Sequence, residues 1–230
     1  MSRKRPIVAI DGPAGAGKST VARNVAERLG FVLVDTGALY RTVALAASRA
    51  GLGYDAAEEV GALAESLVEK NAILFLRDAR GIRMMLSGED VSDSIRTPDI
   101  GMGASTVSAH PRVRTALLDM QRQAGREGGV VLEGRDIGTV VFPDAEVKVF
   151  LTARPEVRAR RRYDELVAKG DTRMSFDETL ADVKKRDAQD EGRAVAPLRQ
   201  ADGAVLVDSS EMGIDEAVEA IASLAREASR

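Results

Sequence analysis

The chain alternates short, mostly apolar runs with stretches in which apolar residues recur every three to four positions, the texture of strands laid between amphipathic helices. Ile7 to Ile10, Phe31 to Val34, Val130 to Leu132, Val147 to Leu151 and Ala204 to Val207 form the apolar runs. Such runs belong in parallel strands buried on both faces. Helical spacing links Val21, Ala22, Val25, Ala26 and Leu29 up to Gly30, then Leu39, Val43, Ala46 and Ala50 up to Gly51. It returns in Val60, Leu63, Ala64, Leu67 and Val68, in two segments opened by Pro98 and Pro111, and in Ile214, Ala217, Val218, Ile221 and Leu224. The pattern predicts an α/β fold, a five-stranded parallel sheet with helices on both faces and its ligands at the carboxyl ends of the strands.

Two stretches break the alternation. Ile73 to Leu76 and Ile82 to Leu86 are short β-like runs around R-D-A-R-G, which reads as a hairpin. A hairpin does not belong in a simple β-α-β winding, so an inserted subdomain is expected at about 60–110 within a single domain spanning 1–230. The second break lies before the last strand. Pro155 opens a helix carrying R-A-R-R-R, and Ser175 with Glu178 forms a capping-box pattern opening another, with Phe176, Leu180 and Val183 as its apolar stripe. At ~100° per residue, Arg158, Arg161 and Arg162 share one helix face and Arg160 points away. This helical hairpin, about 155–195, is expected to be a mobile lid. Because Asp164, Glu165, Asp182 and Asp187 are interspersed, a solvated, ion-paired surface explains the same charges.

Charge and composition narrow the partners. With a net charge of −3 and 3% aromatic residues, the chain is poorly equipped for sequence-independent binding to nucleic acid. It contains no cysteine, so disulfides and thiolate metal sites are excluded. No apolar run approaches the roughly 18 residues of a membrane span, and the basic start, Met1 to Arg5, leads only into a short strand. A cytoplasmic chain is expected, with monomer as the default and no membrane or nucleic-acid partner.

The most informative stretch is G-P-A-G-A-G-K-S-T, comprising Gly12, Pro13, Ala14, Gly15, Ala16, Gly17, Lys18, Ser19 and Thr20. Strand, glycine loop and helix follow in the order that a phosphate-binding P-loop requires. Its amides would cradle the phosphates of ATP, Lys18 would reach the β- and γ-phosphates, and the Ser19 hydroxyl would ligate Mg²⁺. Either Glu133 or Asp35, each ending an apolar strand, could orient the metal's waters.

The acceptor must be read from the other polar clusters. Neither Asn24 nor Asn71 precedes a lysine, so the N-K-x-D reader of guanine is missing. An alcohol acceptor needs a carboxylate base, whereas a phosphate acceptor is already largely ionised near neutral pH. Its difficulty is bringing two polyanions together, and that calls for arginines. Arg41, Arg135, Arg158, Arg161, Arg162, Arg186 and Arg193 all fall on segments expected near the cleft. Arg41 alone reads equally well as a surface arginine on an amphipathic helix. Another small-molecule P-loop kinase, or a nucleotide-dependent module whose basic lid grips RNA, also remains open on these residues.

Taken together, G-P-A-G-A-G-K-S-T, D-T-G-A-L-Y-R, E-G-R-D-I-G-T-V-V-F-P and R-A-V-A-P-L resemble the bacterial cytidylate kinase family in order and spacing over roughly residues 6 to 208. The resemblance implies a P-loop kinase with a monophosphate-binding insertion and a lid, transferring the γ-phosphoryl group of ATP to CMP or dCMP with Mg²⁺. It further implies that Thr36, Ser105, Arg114 and Asp136 surround the pyrimidine, and that Arg41, Arg135 and Arg193 hold the acceptor phosphate. Arg186 and Asp190 match positions near the sugar, and Arg158, Arg161 and Arg162 match the lid arginines that act with Lys18 on the moving group. Thr36 stands where serine is common in the family; the hydroxyl is kept and a methyl is added.

Overall fold

The fold was obtained as a computed structural model, which describes residues 3–78, 81–168 and 170–229. The chain forms two compact units: one takes in the chain up to Val34 and from Gly125 onward, the other is Asp35–Ala124.

The first unit is built on a five-stranded sheet. Its strands are β1 (Ile7–Asp11), β2 (Val32–Asp35), β6 (Val130–Gly134), β7 (Val147–Thr152) and β8 (Val205–Asp208), in the spatial order β2-β6-β1-β7-β8. β1 is parallel to β6 and β7, and β7 is parallel to β8. Every residue of β1 is buried, as an unbroken apolar run at the centre of a sheet demands. Helix α1 (Lys18–Leu29) lays Val21, Ala22, Val25 and Ala26 against Ala217, Val218, Ile221 and Ala225 of α8 (Ile214–Glu227), and both close over Val8, Ile10, Val131 and Val149. Gly30 ends α1 in a left-handed turn, with its N–H on the carbonyls of Ala26 and Glu27.

Helices α6 (Pro155–Ala168) and α7 (Phe176–Glu191) form the expected hairpin before β8. The Ser175–Glu178 capping box is present, worth about 1 kcal/mol to the start of α7. The buried side of α7 is less apolar than its sequence suggests: Thr179, Val183 and Asp190 are buried, and Phe176 is half-buried beneath the Arg160 guanidinium, 4.4 Å from its ring centroid.

The second unit contains α2 (Thr36–Arg49), α3 (Ala57–Glu69), α4 (Pro98–Val107), α5 (Pro111–Gly125) up to Ala124, and a three-stranded antiparallel sheet. That sheet is β3 (Ile73–Asp78), β4 (Gly81–Leu86) and β5 (Glu89–Asp90). The expected hairpin is therefore present in the pairing Ile73↔Leu86 through Asp78↔Gly81, with Ala79 and Arg80 of its turn outside the described residues. The compact unit holding it, Asp35–Ala124, includes α2 and α5, which share its core. Leu39, Ile73, Ile95 and Leu117 are fully buried there.

Candidate active site

The P-loop leaves the central strand at Asp11 and bends sharply. Gly12 has φ +152°, and a Cβ there would lie 1.9 Å from the Leu151 carbonyl oxygen of β7, so only glycine fits. Gly17, at φ +86°, precedes α1 and exposes the helix's first amides. Lys18 is buried and donates through Nζ to the Pro13 carbonyl at 2.7 Å, curling back over its own loop. Burial, and then the neighbouring Arg135, lower its pKa from 10.5 to about 7, although Glu133, Asp190 and Asp11 pull the other way. Lys18 thus has both the arginine expected at the acceptor phosphate and three carboxylates within electrostatic reach.

Glu133 ends the apolar part of β6 in register with Ile10 of β1, which brings it beside the start of α1. It is buried, and the Ser19 hydroxyl donates to its Oε2 at 2.9 Å. Asp35 is occupied differently: it caps α2 by accepting from the Ala38 N–H at 3.1 Å and pairs with Arg41 at 3.3 Å. Of the two strand-end acids, Glu133 is the one joined to the expected metal ligand.

The segment after β6 opens on buried Asp136 and winds into one wide π-type turn, Ile137–Val141, in which the Val140 and Val141 N–H groups converge on the Asp136 carbonyl. The amides that start this turn need acceptors. Asp11 supplies them from the neighbouring strand, its carboxylate taking the Ile137 N–H at 2.8 Å and the Gly138 N–H at 2.7 Å. Burial nevertheless pushes the Asp11 pKa up to about 6, those two amides and Lys18 holding it down and Asp136 adding to the rise. Asp11 was not among the residues expected at the site. Its one sequence signal is a carboxylate closing an apolar strand directly before the glycine loop.

Asp190 on α7 gathers two of the expected arginines. It accepts from Arg135 Nε at 2.8 Å and from Arg193, and its own carbonyl receives the Leu198 N–H at 2.8 Å, which folds the R-A-V-A-P-L segment back onto α7. Arg186 lies half-buried against Asp182 at 3.0 Å. The three arginines of α6 diverge. Arg158 is buried in an ion pair with Asp187, Arg161 donates to Ser209 beyond β8, and Arg162 pairs with Glu165 on its own helix.

In the second unit, Thr36 is buried at the first position of α2, and Arg41 follows on the same helix, half-buried. Ser105 is half-buried on α4, its carbonyl accepting from the Ser108 hydroxyl. Arg114 is buried on α5, donates to the Ser108 carbonyl at 3.0 Å, and stacks 5.4 Å from the Tyr40 ring centroid. Among the described residues, no group of three or more His, Cys, Asp or Glu side chains could hold a metal, and no helix is long and apolar enough to cross a membrane.

The sequence matches the family model described as cytidylate kinase over residues 8–227. It is 54% identical over 228 residues to the cytidylate kinase of Geobacter sulfurreducens, covering 99% of this chain and 96% of that protein. The cytidylate kinase of Pseudomonas paraeruginosa is 49% identical over 221 residues, covering 96% and 95%. Among solved structures, an uncharacterized protein from Eubacterium ventriosum superposes with a TM-score of 0.50 at 14% identity, covering 96% of this chain and 99% of that one. The shikimate kinase of Bacteroides thetaiotaomicron reaches 0.48 at 14% identity, covering 96% and 98%.

Proposed function

The chain belongs to the cytidylate kinase family, and on that footing we propose that it transfers the γ-phosphoryl group of ATP to CMP or dCMP, giving the nucleoside diphosphate and ADP. The observation that carries this reading is the neighbourhood of Lys18. A donor-phosphate lysine within reach of Arg135, itself clasped by Asp190 together with Arg193, suits a reaction in which two polyanions meet head-on. We further propose, from the resemblance of the motifs, that Thr36, Ser105, Arg114 and Asp136 surround the base, that Arg41 with Arg135 and Arg193 holds the phosphate, and that Arg186 and Asp190 lie near the sugar.

The donor is held by Gly12 to Thr20. Its phosphates take the loop amides and Lys18 Nζ, which must leave the Pro13 carbonyl to reach them. The hydroxyl of Ser19 and the carboxylate of Glu133 are hard oxygen donors 2.9 Å apart, a pairing that suits Mg²⁺ entering with ATP. Ser19 would hold the ion, with Glu133 accepting from its waters, and the ion would neutralise charge on the β- and γ-oxygens. No side chain is needed as a base, because a phosphate acceptor is already ionised at neutral pH. Catalysis is positioning and charge compensation, to which Arg158, Arg161 and Arg162 of the lid contribute. The reading is of a monomeric enzyme of the cytoplasm, with ATP and CMP or dCMP as its partners.

Steady-state phosphoryl transfer from ATP, compared across CMP, dCMP, UMP, AMP and shikimate, tests it. CMP is expected among the best acceptors, and a clear preference for any acceptor other than a cytidine nucleotide refutes the reading. Arg135→Ala should cut kcat/KM for CMP at least 100-fold, about 2.7 kcal/mol, while ADP binding stays within a few-fold of wild type.

A further inference from the structure

Among the three lid arginines, Arg158 is tied into the protein most completely. Its Nε donates to the Ala153 carbonyl at 2.7 Å, Nη1 to the Ala14 carbonyl at 3.0 Å and to Asp187 Oδ1 at 2.9 Å, and Nη2 to Asp187 Oδ2 at 2.7 Å. A guanidinium has five N–H groups, so at most one is left for a ligand. The side chain is 4% exposed, and the Gly15 backbone lies against its stem, a Cβ on Gly15 falling 3.2 Å from Arg158 Cβ.

We infer that Arg158 and Asp187 form a positioning pair that sets the P-loop's phosphate-binding conformation, with Arg158 acting through the loop and not on the transferred group. This rests on the proposed kinase reaction. Across a trans peptide the C=O and N–H point in opposite directions. By holding the Ala14 carbonyl, Arg158 aims the Gly15 N–H the other way, as a phosphate donor must be aimed. Asp187 fixes the guanidinium fork in two parallel charged hydrogen bonds, a geometry that lysine cannot reproduce. Asp187 also lies three residues before Asp190 on α7, so one helix carries the carboxylate that steadies the donor loop and the one that gathers Arg135 and Arg193.

The test is calorimetric binding of ADP to Asp187→Asn, Arg158→Lys, Arg158→Ala and the double variant Arg158→Ala/Asp187→Asn, with thermal melts of each. Asp187→Asn leaves Arg158 whole, yet should weaken ADP about tenfold. Arg158→Lys, which keeps the charge and loses the fork, should bind as poorly as Arg158→Ala. The double variant should be no worse than the weaker single one, since both remove one device. ADP affinity within twofold of wild type in Asp187→Asn overturns the inference, and that variant alone decides if Arg158→Ala does not fold. Equal binding by Arg158→Lys and wild type overturns it as well. A wild-type protein that binds ADP but does not phosphorylate CMP sinks the proposed reaction and leaves the pair intact.

Discussion

Nucleotide binding should draw a proton into the protein, and the group responsible should be Lys18. The free lysine has a pKa of about 7 because its ammonium is stripped of water and faces Arg135. It is therefore charged below pH 7 and largely neutral above. A bound phosphate chain places several negative charges against Nζ and restores the charged form, moving the pKa back toward ~10.4. At pH 8 roughly 0.9 of the free lysines are neutral, so binding should take up about 0.9 proton per nucleotide. At pH 6 the lysine's share should fall to about 0.1. Above pH 7, affinity should weaken up to about tenfold per pH unit, the linkage for one proton.

Calorimetric titration of ADP in buffers of different ionisation enthalpy reads that number directly. The measurement belongs at pH 8, where terminal phosphates with a second pKa near ~6 are already ionised. Asp11, with a pKa of about 6, is ionised there too. Lys18→Met removes the titrating group and should reduce the uptake to nearly zero. Wild-type uptake below about 0.2 proton at pH 8 would mean that Lys18 is charged before the nucleotide arrives, and would refute the dominance of desolvation in this pocket.

Three further changes probe the surrounding geometry. Asp11→Asn keeps one acceptor for the Ile137 and Gly138 amides but turns an NH₂ on the other, so KM for CMP should rise several-fold, with a smaller loss of ADP affinity through Lys18; equal loss of both would place Asp11 on the donor side. Because the Asp11 pKa is raised to about 6, its favourable contribution is full below about pH 4 and is lost as pH rises through 6, so the stability of wild type relative to Asp11→Asn should fall over that window; a flat difference would contradict it. Gly12→Ala drives a Cβ to 1.9 Å from the Leu151 oxygen, backbone against backbone, and should cost at least about 3 kcal/mol, seen as a melting temperature lower by roughly 6–12 °C. Glu133→Gln preserves shape and the Ser19 hydrogen bond but removes the charge, so the Mg²⁺ concentration for half-maximal activity should rise about tenfold, and an unchanged Mg²⁺ titration would deny Glu133 that role.

What could be read from the chain alone was what is local in sequence. The P-loop, its flanking strand and helix, and the Ser175–Glu178 box each lie within a few residues of their partners, so propensity and spacing determine them. The five apolar runs announced a parallel sheet, but their order depends on pairings between Ile10 and Glu133 or Asp11 and Phe150 that no local pattern encodes. The same distance decides between the two strand-end acids. Asp35 finds its partner three residues on, at the Ala38 N–H, whereas Glu133 finds Ser19 from 114 residues away. Asp11 stayed hidden for the same reason, since its amide partners lie 126 and 127 residues downstream. Helical phase put Arg158, Arg161 and Arg162 on one face, yet Asp187 of α7 and Ser209 after β8 set what the first two meet, whereas Arg162 pairs locally with Glu165.

Those pairings also explain how a chain with a net charge of −3 can hold a site made for polyanions. Guanidinium groups crowded together repel one another, and the repulsion is strongest where water is excluded. Here the charges are compensated before any ligand arrives. In the first unit, Arg135 and Arg193 share Asp190, Arg158 has Asp187 and Arg186 has Asp182. In the proposed reaction, a phosphate entering such an arrangement would not meet bare cations; it would exchange with or add to carboxylates already there. Specific affinity then comes from the forks being fixed in position more than from excess positive charge. Lys18 donates to the Pro13 carbonyl and has its pKa lowered to about 7, so there binding and protonation should become one event.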